Sequence, residues 1–506
     1  MMRRKFVFFA MAGLVLTMAL LAGCSGSSGA ASSGSGKQRV VFYLISFNKI
    51  PESTKAVEDA VNQYIAATYP DANVELGLQI FGPAEYEEKI RLAMQSGTQV
   101  DMFTPLGIYN LIAQNQCLPL EDLMQTYGQD MLKIIRTDLG DDAFGVFQRE
   151  GHTYGVPINK GMVITPTFIY DKDMLAATGY SIDQINSFRD LEPVFSKILQ
   201  LYPDVFPYAG TNAQDSFIIP LLIGEHEVDV LGDRVNYMGA VFGSSGKVVN
   251  LYESQQFSDY IKIMRQWYSA GYMPKDMATS PSNATEYMAA GRLFSTMAGY
   301  GGAEIHVTVG MATGKNIGSK WVAPFYFDSS AMSLATVIAS TTKVPEAAMK
   351  MMNILYTDAF VTNTILYGIE GTDYVKVDEH HWKYPEGKDG NTVAYTAAYS
   401  TGIMGSEKLQ LQPQGMNYDD VLLKLRQNRE VKHSPYFGFV FDASPVTSEL
   451  AALANVYSQY IPGLVCGSLD PDTAIPQFNA ALKSAGIDRV IQAKQTQLDA
   501  WISANK

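Results

Sequence analysis

The strongest constraint on the fold is an alternation of predicted strands and helices at the start of the folded part. Residues 39–46 form a β-branched and aromatic run with the length of a buried strand, and residues 74–80 alternate with the period of a strand. Residues 54–69 and 84–96 place apolar side chains at helical spacing, and residues 100–103 add a short strand. Strand–helix–strand order predicts an α/β layer with a mostly parallel sheet.

The pattern starts again near residue 150. Extended segments at 154–157 and 162–170 precede a series of helices. The predicted helices are residues 190–201, 256–270, 345–356, 448–460, 473–485 and 487–503. Because no low-complexity linker follows residue 36, two α/β cores with the chain crossing between them fit better than independent domains in series.

The N-terminus predicts export and lipid anchoring. Residues 3–5 are basic and precede an apolar stretch that ends near Leu21, which is the layout of a signal peptide over residues 1–23. An uncleaved membrane anchor is the alternative, because the stretch is near the lower length limit for a span. Leu21-Ala-Gly-Cys24 resembles the bacterial lipobox, whose cysteine carries the lipid and becomes the first mature residue. Residues 24–37, rich in Gly and Ser, are expected to form a flexible tether.

Charge and cysteine content exclude several classes of protein. The chain carries 51 acidic and 38 basic residues, without the basic stripe that phosphate binding requires, so no nucleic-acid partner is expected. Three cysteines in 506 residues exclude a disulfide scaffold. Cys117 and Cys466 lie among apolar neighbours, so we expect buried free thiols rather than a disulfide.

Motifs of catalysis are nearly absent from the sequence. Residues 243–246 are one residue short of a nucleophile elbow, and residues 299–302 and 310–315 lack the spacing of nucleotide-binding glycines. His380 and His381 are expected in a solvated loop rather than at a metal. We therefore predict no enzyme, no cofactor and no metal site, although a carboxylate pair formed only in space stays open.

A binding site is easier to argue, because aromatic and polar residues recur where predicted strands meet loops. The candidate ligand-binding residues are Phe47, Asn48, Lys49, Phe81, Asp101, Thr104, Tyr109, Asn212, Gln214, Asp215, Phe217, Tyr300, Phe437 and Phe439. Ligands of open α/β sheets bind at the carboxyl ends of strands, and rings that stack on sugar faces beside hydrogen-bonding groups suit an oligosaccharide. Phe81 and Phe439 fit a core position equally well, and Asp101 could instead cap a helix.

Several segments together resemble the family 1 extracellular solute-binding proteins of ABC importers, in their lipobox-anchored branch. The matching segments are residues 155–157, 170–175 with Gly179, 291–297, 345–348, 356–358, 367–371 and 436–501. Asp171 departs from the family pattern, which has Asn there. The last segment resembles the C-terminal domain of this branch, at residues 436–506, which has no assigned activity.

The resemblance implies a two-lobed, type II binding-protein fold like that of maltose-binding protein. One lobe would use residues 38–158 and 326–370, and the other residues 159–325 and 371–506. The resemblance also places Asn48, Asp215, Phe217 and Tyr300 on segments that line the cleft.

The function implied is capture of an oligosaccharide outside the membrane and delivery to an ABC permease, by a monomer that Cys24 anchors to the cell membrane through palmitate or a similar acyl chain. A peptide or other polar solute is the alternative ligand. A membrane-anchored glycan hydrolase is the alternative from a different class.

Overall fold

The computed structural model describes residues 36–46, 50–106, 108–149, 151–163, 165–210, 217–233, 236–279, 284–299, 305–329, 334–396 and 402–505. Its strands are β1 (Gln38–Ile45), β2 (Val74–Phe81), β3 (Met102–Phe103), β4 (Gln148–Arg149), β5 (His152–Thr153), β6 (Val156–Pro157), β7 (Thr167–Asp171), β8 (Phe206–Tyr208), β9 (Val228–Asp229), β10 (Val241–Phe242), β11 (Leu293–Ala298), β12 (Ile317–Trp321), β13 (Ala335–Ile338), β14 (Val375–Lys376), β15 (His381–Lys383) and β16 (Gln412–Pro413).

Helices account for most of the remaining regular structure. They are α1 (Lys55–Thr68), α2 (Tyr86–Ser96), α3 (Ile108–Ala113), α4 (Glu121–Tyr127), α5 (Gln129–Asp138), α6 (Lys172–Thr178), α7 (Leu191–Leu201), α8 (Ile218–His226), α9 (Gln255–Ser269), α10 (Ala284–Ala289), α11 (Ile305–Thr313), α12 (Pro345–Thr357), α13 (Ala359–Tyr367), α14 (Tyr418–Glu430), α15 (Thr447–Val465), α16 (Pro471–Ser484) and α17 (Ile487–Asn505). Within the described part of the chain, no helix is both long and apolar enough to span a membrane.

The first sheet has the order β2-β1-β3-β13-β6 and contains the predicted strand–helix alternation. β1 runs parallel to β2 along its whole length and parallel to β3, whereas β13 is antiparallel to both of its neighbours. β1 has an almost continuous run of buried side chains because α1 and α12 pack on this part of the sheet. The α/β layer predicted for this region is confirmed.

The second sheet has the order β12-β7-β11-β8 and its own hydrophobic core. β7 is antiparallel to β11 and β12, and β8 is parallel to β11. Trp267 lies at the centre of an aromatic group, with ring centroids 4.9 Å from Phe195 and 5.6 Å from Tyr208. Edge-to-face contacts of this kind add to the free energy gained by burying the rings.

The C-terminal helices α15, α16 and α17 pack on one another and on α9. The three helices predicted there are confirmed, but α15 continues to Val465 past Pro462 instead of ending near residue 460. Ile461, Leu464 and Val465 are buried in the second core, and this packing outweighs the backbone hydrogen bond that a proline loses.

The division of the chain between the cores differs from the expected boundary at residue 370. Trp382, Tyr395, Met404 and Leu411 all pack in the first core. Residues 371–411 therefore add to the first lobe, whereas the resemblance assigned them to the second. The reason is tertiary: Tyr367 at the end of α13 donates a hydrogen bond to Leu411 O at 2.8 Å and brings this segment back onto the first core.

Cys117 and Cys466 are free and buried, which confirms the expectation for both thiols. Cys117 belongs to the first core and Cys466 to the second. Burial raises the pKa of each thiol to about 12, because the thiolate would lose its hydration. Both cysteines therefore stay protonated and unreactive near neutral pH.

Substitution of two glycines by alanine distinguishes the cost of backbone strain from the cost of steric overlap. Gly467, in the turn after α15, and Gly271, after α9, both have positive φ (68° and 80°). A Cβ on Gly467 would lie 2.3 Å from Met264 O, whereas a Cβ on Gly271 would meet nothing within 4 Å. We expect Gly271→Ala to lower the free energy of unfolding by about 1 kcal/mol, and Gly467→Ala by about 2 kcal/mol more, because the second variant adds overlap to strain.

Urea denaturation of both variants and the parent chain measures this difference. Equal losses for the two variants would contradict the close approach of the Gly467 turn to α9.

Candidate functional site

The parallel strands of the first sheet end at a common edge. Ile45, the last residue of β1, is opposite Phe81, the last residue of β2, and Thr104 directly follows β3. The Tyr86 hydroxyl joins this edge, since it donates to Tyr43 O at 2.9 Å and accepts from Thr104 N at 3.1 Å. The structure thus places Phe81 and Thr104, two predicted site residues, at the same edge of one sheet.

The second sheet has a corresponding edge. β11 and β12 end at Ala298 and Trp321, and in the register of the sheet both residues are opposite Thr167, the first residue of β7. β8, which is parallel to β11, ends near the same edge at Tyr208. The carboxyl ends of three strands therefore meet there.

Two chain segments run between these edges. Residues 158–166 connect β6 to β7, and residues 322–334 connect β12 to β13. Because each segment joins the described edge of one sheet to the described edge of the other, both edges border the region between the cores. This is the position at which open α/β sheets bind ligands.

The first of these crossing segments is held by α14. Asn428, a buried residue of that helix, accepts from Met162 N at 2.8 Å and donates to Lys160 O at 2.7 Å. Asn159 is bound in a similar way, since its side chain donates to Ser406 Oγ at 2.9 Å and its backbone N–H to Gly405 O at 3.0 Å. The backbone N–H and C=O groups that pass between the cores thus find hydrogen-bond partners that do not belong to either main sheet.

A third crossing runs from Leu411, in the first core, to Val446, in the second. It pairs with the crossing at 322–334: Phe327 N donates to Lys432 O at 3.1 Å, and Ser434 N donates to Phe327 O at 2.8 Å. Three crossings, two of them paired with each other, therefore connect the lobes.

Aromatic side chains cluster at the paired crossings. The Phe327 ring centroid lies 4.7 Å from that of His433 and 5.1 Å from that of Phe437. Phe437, one of the predicted ligand residues, is half-buried in this group. It consequently lies at the junction of the lobes.

A pocket of about 330 Å³ lies between the edge strand β12, α11 and α14. It is lined by Thr167, Tyr170, Lys172, His306, Gly318, Ser319, Lys320, Trp321 and Asp420. All but Asp420 belong to the part of the chain that surrounds the second sheet, and Asp420 lies on α14, which packs against α5 of the first core. The pocket is thus lined by residues around the second sheet and by one residue of a helix that packs on the first core.

The chemistry of this pocket combines one large ring with polar groups. Trp321 is half-buried, and its ring lies edge-to-face against Phe325 with centroids 4.9 Å apart. His306 Nδ1 is 3.1 Å from Ser319 Oγ. Burial is the main cause that raises the pKa of Tyr170, so its hydroxyl stays protonated. Lys172, Lys320 and Asp420 add charged groups to the lining, so the pocket offers one aromatic wall together with hydrogen-bond donors and acceptors.

The other predicted site residues with described side chains are buried. The Asp101 carboxylate accepts from Val41 N at 2.8 Å and from Thr342 Oγ1 at 2.5 Å, which joins β1 to the turn after β13. Phe217 packs in the aromatic core of the second lobe, and Phe439 packs beside Trp501 with ring centroids 6.2 Å apart. In the structure these three residues have structural contacts, and their contact with a ligand stays a prediction.

The remaining predictions fall on residues that the structure does not describe. Phe47, Asn48, Lys49, Asn212, Gln214, Asp215, Tyr300 and Cys24 lie outside the described residues. Tyr109 belongs to α3, but its side chain is likewise outside the description. The strands that precede several of them end at the two edges described above.

The loop expected for the histidine pair is found at His380 but not at His381. His381 begins β15, and its Nδ1 lies 2.8 Å from Asp378 Oδ1 while its Nε2 lies 2.7 Å from Met416 O. His380 stacks on Tyr418 with ring centroids 3.8 Å apart. Hydrogen bonds from the His380 backbone and the His381 side chain lower the pKa of Asp378. Tertiary contacts thus order a segment that composition alone marked as solvated.

Among the described residues, no group of three or more His, Cys, Asp or Glu side chains could hold a metal ion.

Sequence reasoning missed the residues of the β12 pocket. Trp321 satisfies the rule that selected Tyr300, since it is an aromatic residue at the carboxyl end of a strand. No sequence signal marks Asp420, because it reaches the pocket only through the packing of α14.

Comparison with known proteins identifies the architecture. Residues 60–369 match the family described as bacterial extracellular solute-binding protein, and residues 435–503 match a domain of unknown function, DUF3502. A carbohydrate ABC transporter substrate-binding protein of Streptococcus pneumoniae serotype 4 is 27% identical over 515 residues, which cover 98% of each chain.

Solved structures agree with this assignment. The crystal structure of the N-glycan transport solute binding protein NgtS from Streptococcus pneumoniae has a TM-score of 0.78 at 24% identity and covers 93% of this chain and 100% of that chain. The same protein in complex with Man1GlcNAc has a TM-score of 0.69 at 24% identity, with 92% and 100% covered. The fold is therefore the two-lobed, type II fold expected from the resemblance, and the chain belongs to the bacterial extracellular solute-binding protein family.

Proposed function

We propose that this protein is the oligosaccharide receptor of an ABC importer. The observation that carries the proposal is the meeting of two strand edges at the lobe crossings, next to a pocket in which Trp321 faces polar groups. Rings that stack on the apolar faces of sugars, beside groups that bind hydroxyls, are what such a ligand requires. The names of the relatives, a carbohydrate transporter component and an N-glycan transport protein, point to the same ligand class.

The mechanism is closure of the lobes around the sugar. A ligand that contacts both lobes stabilises the closed arrangement, because only that arrangement provides hydrogen-bond partners on both of its sides. The crossings at 158–166 and 322–334 and the third crossing supply the hinge, at which a few residues absorb the rotation. The permease recognises the closed form, and the sugar leaves without any bond having been broken. The receptor is thus not an enzyme.

Similarity to NgtS supports a ligand of the same class. The structure whose title names no ligand has a TM-score of 0.78 to this chain, and the complex with Man1GlcNAc has a TM-score of 0.69. Man1GlcNAc is therefore a suitable first probe of binding by this chain.

The pocket residue Trp321 is expected to contribute to binding. Trp321→Ala should weaken binding of Man1GlcNAc or Man5GlcNAc about tenfold, because stacking contributes about 0.5–1.5 kcal/mol beyond buried area and 1.4 kcal/mol is a factor of ten. Isothermal titration calorimetry measures this change.

Phe360→Ala is the matched control for Trp321→Ala. Phe360 is an exposed ring on α13 that stacks on Tyr64 outside the pocket. Unchanged affinity in Trp321→Ala, or an equal loss of affinity in Phe360→Ala, would contradict a role of Trp321 in ligand binding. Binding of peptides but of no glycan would contradict the proposed ligand. Release of cleaved sugar would contradict the proposed absence of catalysis.

Closure itself is measured by small-angle X-ray scattering. Addition of a glycan that binds should reduce the radius of gyration of the full chain, because the lobes rotate toward each other. A peptide mixture that gives no calorimetric signal is the control. If saturating glycan leaves the scattering curve unchanged, capture by closure is wrong even though binding occurs.

Anchoring is the last part of the proposal. Cys24 is expected to carry the lipid, with the Gly/Ser-rich residues 25–36 as the tether between membrane and lobes. In a bacterium that processes lipoproteins, Cys24→Ala should abolish labelling by radioactive palmitate and move the protein out of the membrane fraction. Cys117→Ala is the control, because that thiol is buried. Retained labelling in Cys24→Ala would contradict the lipobox.

A further inference from the structure

A third hydrophobic cluster lies apart from the cores of the two lobes. Its buried members are Leu231, Val241, Val248, Tyr436, Phe439 and Leu498. They come from three places in the chain: the segment that contains β9 and β10, the end of the third crossing, and α17. The C-terminal domain, residues 435–503, therefore supplies both the end of the third crossing and α17, and both pack on the segment that contains β9 and β10.

A buried charge connects α17 to the segment around β10. Lys494 is fully buried, and its Nζ donates to Gly239 O at 3.1 Å and lies 3.7 Å from Asp233 Oδ2. Burial lowers the pKa of Lys494, in opposition to the nearby carboxylates. A buried ammonium group is costly unless it has partners, so the fold keeps Lys494 only with Gly239 and Asp233 in place.

The next residue of α17 binds the chain after β10. Gln495 Oε1 accepts from Val248 N at 2.7 Å, and its Nε2 donates to Gly246 O at 2.8 Å. Ala240 and Val249 are paired with each other, so Lys494 and Gln495 together hold the two ends of the segment 239–248.

From β10 the contacts lead to the second crossing. β10 pairs with β9, in which Asp229 is opposite Val241. Asp229 is fully buried, and its carboxylate accepts from Ser329 N at 3.0 Å and from the Ser329 hydroxyl. Ser329 lies in the crossing at 322–334, so side-chain hydrogen bonds, a short stretch of backbone and the β9–β10 pairing together connect α17 to this crossing.

A second route leads to the third crossing. Gly246 N donates to the Tyr436 hydroxyl at 2.7 Å, and Tyr436 N donates to Ser434 Oγ at 3.1 Å. Ser434 N in turn donates to Phe327 O at 2.8 Å. Both routes therefore end on the two paired crossings.

We propose that the C-terminal domain is a hinge brace, in which Lys494 and Gln495 of α17 fix residues 228–233 and 236–249 and, through Asp229 and Tyr436, the position of the paired crossings. The brace limits the arrangements that the crossings adopt, and so it limits the range of angles through which the lobes rotate. This role goes beyond ligand capture and does not depend on which solute the protein binds.

Hydrogen exchange of the full chain without ligand tests the brace. Lys494→Met removes the buried charge at similar volume, and it takes one partner away from Gly239 O and one from the Asp233 carboxylate. We expect peptides that cover residues 322–329 and 431–438 to exchange about tenfold faster or more, while peptides of β1 and α12 keep the parent rate.

The matched control is Arg489→Met on the same helix. Arg489 pairs with Glu449 and donates to Pro445 O, which lies at the C-terminal end of the third crossing and outside its paired part at residues 432–434. Arg489→Met should therefore leave exchange in peptides 322–329 and 431–438 unchanged. Ser329→Ala, which breaks the last bond of the first route, should accelerate exchange at 322–329 without affecting α17.

If Lys494→Met does not fold, Gln495→Leu tests the same segment, because it removes the bonds to Gly246 and Val248. The brace is wrong if a folded Lys494→Met or Gln495→Leu exchanges at the crossings like the parent chain. Equal acceleration by Arg489→Met, or acceleration of β1 as well, also contradicts it, since the effect would then be general destabilisation. Neither result bears on glycan binding.

Discussion

Backbone that passes between two hydrophobic cores has to find hydrogen-bond partners outside the sheets, and most of the features of the lobe junction follow from this requirement. Buried N–H and C=O groups without partners would cost more than the junction could recover. The first crossing meets the requirement with the Asn428 side chain, which both accepts and donates. The second and third crossings meet it by pairing with each other at Phe327.

Side chains of elements far away in the chain also supply hydrogen-bond partners for the backbone of the crossings. The Tyr356 hydroxyl lies 2.9 Å from Pro157 O at the point where β6 ends and the first crossing begins. Asp229 serves the second crossing from β9. Buried polar residues thus hold the backbone where the chain leaves a sheet, at the segments that we propose as the hinge. A hinge of this kind is ordered by specific bonds rather than by a flexible linker.

The position of the candidate site follows from strand direction. Parallel strands end at one edge, and the first two crossings leave from the described edges, so the loops that we propose bind ligand and the segments that we propose rotate are neighbours. In this proposal, binding and motion need no separate signalling element. The C-terminal domain contributes from outside, since its contacts reach the crossings rather than either strand edge.

Sequence reasoning was most successful where local periodicity was strong. β1, α1 and β2 follow directly from a β-branched run, an amphipathic stretch and an alternation, and Phe81 and Thr104 were placed at a strand edge by the same rule. It was less successful where the direction of a side chain decides its role: Asp101, Thr104 and Phe217 all adjoin predicted strands or loops, yet all three are buried. Trp321 obeyed the rule and was missed.

By itself, the sequence determined the strands and helices with strong periodicity and the family. These depend on interactions between residues a few positions apart, which a single chain displays as periodicity and spacing. Only the tertiary structure decided that residues 371–411 return to the first core, that Asp420 reaches the β12 pocket and that Lys494 connects to the hinge. Each of these joins residues far apart in the chain, and packing between elements, rather than local preference, selects such contacts.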